Sequence, residues 1–204
     1  MKIKRKKSLN TQGFTLVELL VGMVVSLLAM GAIAMQQNIR AAMFYMQREI
    51  RMAGCDPTGL AGAGITAASA TSIHFTEDVW NGTAGGNPDG DVDDSNEDIT
   101  YNLDDSDGDG VVDELDRNNQ TVAQNIDALN FVYLDANGNT TATLADIRSV
   151  EITVVARISR GVVPMVNNNT YLNQRGATIL GPQNDNLSRR RLTAFIKCRN
   201  LGLN

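Results

Sequence analysis

Cysteine and histidine are scarce in this chain. Its 204 residues hold two cysteines, Cys55 and Cys198, and one histidine, His74. There is no CxxC pair and no Cys/His cluster, which argues against a structural zinc site. His74 sits in a strand pattern, and nothing suggests a histidine-activated nucleophile. A glycine-rich phosphate loop, an HExxH helix and a nucleophile elbow are also missing, and the chain is expected not to be an enzyme. Acid is absent from the first 13 residues, which carry Lys2, Lys4, Arg5, Lys6 and Lys7. The remainder holds 13 basic against 23 acidic groups, a net charge of −10. An acidic body of this kind argues against nucleic acid as a bulk electrostatic partner.

What is present begins with an apolar run. From Phe14 to Met35 the only charged residue among 22 is Glu18. At about 1.5 Å per residue such a helix spans roughly 30 Å, the thickness of a bilayer core. The lysine cluster ahead of it favours a cytoplasmic N-terminus and places the body on the far side of an inner membrane. An uncleaved anchor would fit, and so would a secretory signal with Ala32-Ile33-Ala34 as its cleavage site. Both leave Glu18 unexplained, since an intramembrane carboxylate is costly without a partner. The second would also cut through a helical pattern that continues past Ala34.

The stretch GFTLVELLVGMVVSLLAMGAIA, residues 13–34, resembles the N-terminus of type IV prepilins and type II secretion pseudopilins. In that family a short basic leader ends in glycine, a hydrophobic residue follows, and the fifth mature residue is glutamate. Gly13, Phe14 and Glu18 match those positions. The resemblance implies that a membrane prepilin peptidase cuts after Gly13 and that Phe14 is N-methylated. It also implies that the new amine pairs with Glu18 of a neighbouring subunit during assembly. AAMFYMQREIRMAGCDPTG (41–59), AQNIDALNFVYLDANG (123–138) and AFIKCRNLGL (194–203) resemble PilW-like minor pilins. Expected partners are therefore the peptidase, other minor pilins and the major pilin of a filament. J-type minor pseudopilins are the alternative within the family. A membrane-anchored or secreted calcium-binding adhesin is the alternative outside it.

The helix pattern continues beyond the membrane-length segment. Ile39, Met43, Met46, Ile50 and Ala53 recur at spacings of four, three, four and three, on one helical stripe. Gly54 and Asp56-Pro57 stop it. Strand signals follow at 71–76 and 98–103, and most clearly at Val150, Ile152, Val154, Ala156 and Ile158. Asp135 to Asn139 form a turn before that strand. Leu192, Ala194, Ile196 and Cys198 alternate in a last strand, with Cys198 inward. The expected fold class is α+β, a long N-terminal helix packed on an antiparallel sheet in the type IV pilin manner. Residues 1–13 would be the leader, 14–54 the stalk with its transmembrane half at 14–35, and 55–204 a periplasmic, then pilus-borne, head. In an oxidising compartment Cys55 and Cys198 are a candidate disulfide, two buried thiols being the other possibility.

Residues 87–116 hold 13 of the 23 acids and no basic residue. Within them, DSDGDGVVDELD (105–116) has the order of a twelve-residue calcium loop. Asp105, Asp107 and Asp109 take positions 1, 3 and 5, and Gly110 takes position 6. The Val111 carbonyl takes position 7, Asp113 position 9 and Asp116 position 12, in place of the usual glutamate. Ca2+ is therefore a candidate ligand. Arg189 to Arg191 are expected at a solvated strand edge.

Overall fold

The computed structural model describes residues 14–83, 86–158 and 166–202. The expected leader, residues 1–13 with Gly13 as the expected cleavage residue, lies outside the described residues. α1 (Leu16–Ile50) runs 35 residues, about 52 Å at helical rise. Its two halves differ in burial. Every residue with a described side chain from Phe14 to Gly31 is exposed, whereas Ile39, Ala42, Met43, Met46 and Ile50 are buried. The stripe read from the four-three spacing is thus the face that joins the core. Burying each of its large side chains is worth about 1.5–3 kcal/mol. After Ile50 the chain tightens into a turn that ends at Gly54. With φ +75 and only 2.4 Å from a built Cβ to Leu201 Cδ2, that position excludes any side chain without rearrangement.

The head is antiparallel throughout. β1 (Ile65–Ala68), β2 (Ile73–Thr76), β3 (Asp98–Asp104), β4 (Glu114–Arg117) and β5 (Gln120–Ala123) form a five-stranded meander in chain order. β6 (Ile126–Leu134), β7 (Ser149–Arg157) and β10 (Arg189–Lys197) form a second sheet with β7 central. β8 (Tyr171–Leu172) and β9 (Thr178–Leu180) make a small hairpin. The single sheet expected from the sequence is therefore divided. α1 packs on β5, β7 and β10, and its stripe shares one core with Phe75, Tyr101, Leu115, Phe131 and Ile152.

One register detail matters for charge. In the nine-residue pairing of β10 with β7, Arg189 stands opposite Arg157. Directly opposed like charges destabilise a sheet. Here Asp127 lies between them, taking Arg157 Nη1 on Oδ1 at 2.5 Å and Arg189 Nε on Oδ2. Asp185 holds the other edge of Arg189 with two contacts of 2.6 Å. The expected solvated strand edge is corrected at Arg189, whose side chain is only 3% exposed. Arg190 and Arg191 remain exposed.

The cysteines are not bonded to each other. Both are free, Cys198 buried in the core cluster and Cys55 half-buried at the helix-to-head turn. The alternation that turns Cys198 inward carries it into the core, while Cys55 lies beside Glu77, Asp78 and Asp56. Burial pushes the Cys198 thiol up to about 12. Burial and those three carboxylates also raise Cys55. Neither thiol has the lowered pKa of a reactive one.

Candidate functional site

The N-terminal end of α1 is shaped by a capping box. Thr15 is the N-cap, with φ −75 and ψ 154. Its hydroxyl accepts from Glu18 N–H at 3.2 Å, while its own N–H and Oγ1 donate to Glu18 Oε2 at 2.8 and 2.9 Å. Two of the helix's orphan donors are satisfied reciprocally in this way. Among the described residues, Glu18 Oε1 makes no hydrogen bond and Phe14 is 89% exposed. The sequence held this signal in Thr15 and Glu18 at a spacing of three, although the apolar pattern suggested a start at Phe14. Further along, Ser26 donates back to the Gly22 carbonyl at 2.7 Å, which satisfies its hydroxyl within the helix. The mean hydropathy of the most apolar window is 2.4, and none of that window is buried in the chain's own fold. It is the one described helix long and apolar enough to cross a membrane.

At its other end α1 is fastened by Glu49. Arg117 Nε reaches both Glu49 oxygens, at 3.0 and 2.9 Å, and Tyr101 donates its hydroxyl to Oε2 at 2.6 Å. Burial, then the Glu49 charge, pushes the Glu77 carboxyl up to about 7, while Arg117 pulls it down. Glu97 lies beneath the following loop, and its Oε1 takes Val79 N–H at 2.7 Å and Trp80 N–H at 2.8 Å. His74 is absorbed by a cross-strand contact with Asp98.

Residues 105–113 are the β3–β4 hairpin tip, and the hairpin groups the acids differently from the expected twelve-residue order. Asp105, Asp107 and Glu114 bring carboxylate oxygens within 4.8 Å of one another. Asp109, Asp113 and Asp116 stand outside that group. β4 starts at Glu114, so a strand follows the loop, and its period of two puts Glu114 and Asp116 together on the side opposite the core-facing Leu115. Asp113 turns to Arg157 and forms an ion pair. Asp116 takes the Ser106 hydroxyl on Oδ2, and Asp109 takes the Val111 N–H at 2.8 Å. Glu114, at position 10 of the loop, faces the tip. Leu103 and Leu115 pair across the hairpin on the core side, and they were the signal for its alternation. Burial, then Asp113 and Asp107, pushes the Glu114 carboxyl up to about 7.

Residues 9–34 match the family described as the prokaryotic N-terminal methylation motif. Among solved structures the fold is similar to a type IV-like pilin from Thermus thermophilus, with a TM-score of 0.55 and 14% identity. The match covers 82% of this chain and 98% of that one. No curated protein matches the chain. The chain thus carries the N-terminal methylation motif at the start of a helix whose second half is buried in a head of type IV pilin-like fold.

Proposed function

We propose that the protein is a PilW-like minor pilin, cut after Gly13 by a prepilin peptidase and N-methylated on Phe14, that takes part in initiating a type IV pilus. The observation that carries this reading is the division of α1. An apolar first half whose described side chains are exposed sits under the methylation motif, and a second half is buried in a pilin-type head. Before assembly the exposed half lies in the inner membrane, with the lysine cluster cytoplasmic and the head periplasmic. Cleavage of the Gly13–Phe14 peptide bond by water leaves a carboxylate on the leader and an amine on Phe14. N-methylation keeps that amine cationic.

Glu18 then has two uses at once. Its Oε2 caps the helix through Thr15, and its Oε1 accepts the amine of a neighbouring subunit. In a low-dielectric helix bundle this pairing removes the cost of two isolated charges and fixes how far one subunit slides along the next. Mass spectrometry of the mature N-terminus tests the reading. N-methyl-Phe14 supports it. A chain beginning at Met35 would show ordinary secretion, and an intact Met1 would show a plain anchor.

A further inference from the structure

We propose that the β3–β4 hairpin tip is a calcium site whose protein ligands are Asp105, Asp107 and Glu114. The three carboxylates come from either side of the tip. Asp105 and Asp107 follow β3, and Glu114 opens β4. Their nearest oxygens lie within 4.8 Å of one another, and ligand oxygens about a calcium ion at roughly 2.4 Å stand no farther apart than this.

A second observation is independent of the clustering. Glu114 is 2% exposed, yet its Oε2 has no hydrogen-bond partner among the described residues, and Asp105 Oδ1 is in the same condition. A buried, unpartnered carboxylate oxygen is expensive, and two within one group of three acids call for a cation. Two of the other oxygens are already held. Asp105 Oδ2 takes Gly110 N–H at 3.0 Å, and Asp107 Oδ1 takes Asp109 N–H at 3.1 Å. The acids are therefore oriented before an ion arrives.

The chemistry favours calcium over magnesium. Three carboxylates supply three to six hard oxygens, and water completes a shell of six to eight. Gly110, at φ +89, gives the tip a backbone that side chains rarely adopt, in an exposed loop that can adjust to an irregular shell. Magnesium demands a smaller and more regular one. The ligand set also differs from the twelve-residue order read in the sequence, because Glu114 replaces Asp109, Asp113 and Asp116. Bound calcium joins the ends of β3 and β4, and β4 carries Arg117, the residue that grips Glu49 of α1.

The test uses the full-length chain in detergent, stripped with EDTA. Extracellular calcium loops have Kd values of about 0.1–1 mM. Calcium at about 10 mM should then raise the melting temperature by about 3–10 °C. Calorimetry should give one ion per chain. Asp107→Asn and Glu114→Gln should abolish the rise, and Asp109→Asn should keep it. Asp107 is exposed, so its variant decides the matter even if Glu114→Gln fails to fold. An unchanged rise in Asp107→Asn, an equal rise with magnesium, or no rise in the wild type would overturn the site. Loss of the response in Asp109→Asn would overturn this ligand set in favour of the twelve-residue register. None of these outcomes depends on how the N-terminus is processed.

Discussion

Glu49→Ala separates the stalk from the head at a single point. The Glu49 and Arg117 side chains are 19% and 16% exposed, so their pair is largely removed from water. Deleting the carboxylate leaves the guanidinium with Asn96 Oδ1 at 3.4 Å and orphans the Tyr101 hydroxyl. An uncompensated charge of this burial costs about 3 kcal/mol, toward the low end for buried pairs because some water reaches it. The lost hydroxyl acceptor adds about 1 kcal/mol. Glu77 offsets part of this, since its repulsion by Glu49 ends and Arg117 remains close by. The net loss is about 3 kcal/mol, or about 6–12 °C in melting temperature for a chain of this size. Trp80 is the only tryptophan and sits in the head, so urea titration followed by its fluorescence reads head unfolding. Replacing both members, as Glu49→Met with Arg117→Leu, should cost less than Glu49→Ala alone, because no charge is left behind. A loss under about 1 kcal/mol for Glu49→Ala would refute the reasoning and place the pair with solvated surface bridges.

Four further outcomes are expected. Glu77, ordinarily near 4.5 and here about 7, binds its proton more tightly when folded. The stability this supplies is complete below about pH 4.5 and is lost as pH rises through 7, roughly 3 kcal/mol in all, so Glu77→Gln should flatten the pH dependence of thermal melting and exceed the wild type at pH 8. Glu18→Gln keeps a side chain able to cap the helix, so cleavage should persist while incorporation into sheared filaments falls, and normal incorporation would count against the role given to its charge. Asp127→Asn exposes the opposed Arg157 and Arg189 to each other and should cost about 3 kcal/mol in denaturant titration, a cost under about 1 kcal/mol showing that Asp113 and Asp185 suffice. Thiol labelling of the denatured, unreduced chain should find two free cysteines, and none would show a disulfide.

The parts of the fold that were legible in the sequence are those that repeat. Ile39, Met43, Met46 and Ile50 recur over enough turns for a stripe to be unambiguous, and Leu192, Ala194 and Ile196 alternate in β10, whereas β7, read from Val150, Ile152, Val154 and Ala156, is buried on its other face as well. β4 was hidden because its four residues are Glu-Leu-Asp-Arg, and three of them are buried, two of these acids. Composition assigns such a segment to solvent; only its pairing with β3 places it in a sheet. The grouping of Asp105, Asp107 and Glu114 departs from the twelve-residue order for the same reason. A twelve-residue order presumes that position 12 leads out of the loop, but here the chain enters a strand at position 10 and Glu114 arrives first. Cys198 was correctly turned inward by alternation. Its proposed partner failed because Cys55 lies at the turn, where no periodicity fixes a direction.

Several carboxylates share one arrangement, and it separates a site from mere acidity. In each, one oxygen is held by a donor of the chain and the other is not. Glu18 gives Oε2 to Thr15, Asp105 gives Oδ2 to Gly110, and Glu97 gives Oε1 to Val79 and Trp80. Asp78 gives Oδ2 to Thr58 at 3.1 Å, and Asp116 gives Oδ2 to Ser106. A held oxygen fixes the direction of the remaining one without a further loss of side-chain entropy. What each does next depends on convergence. Among the described residues, only Asp105, Asp107 and Glu114 bring three carboxylate oxygens together closely enough for one ion. The acids around Glu97 and Asp78 do not converge, and their held oxygens tie down loops. Glu18 stands alone on an exposed helix, where no second carboxylate competes for a cation. On the proposed function, its complement comes singly, as the N-terminal amine of a neighbouring subunit.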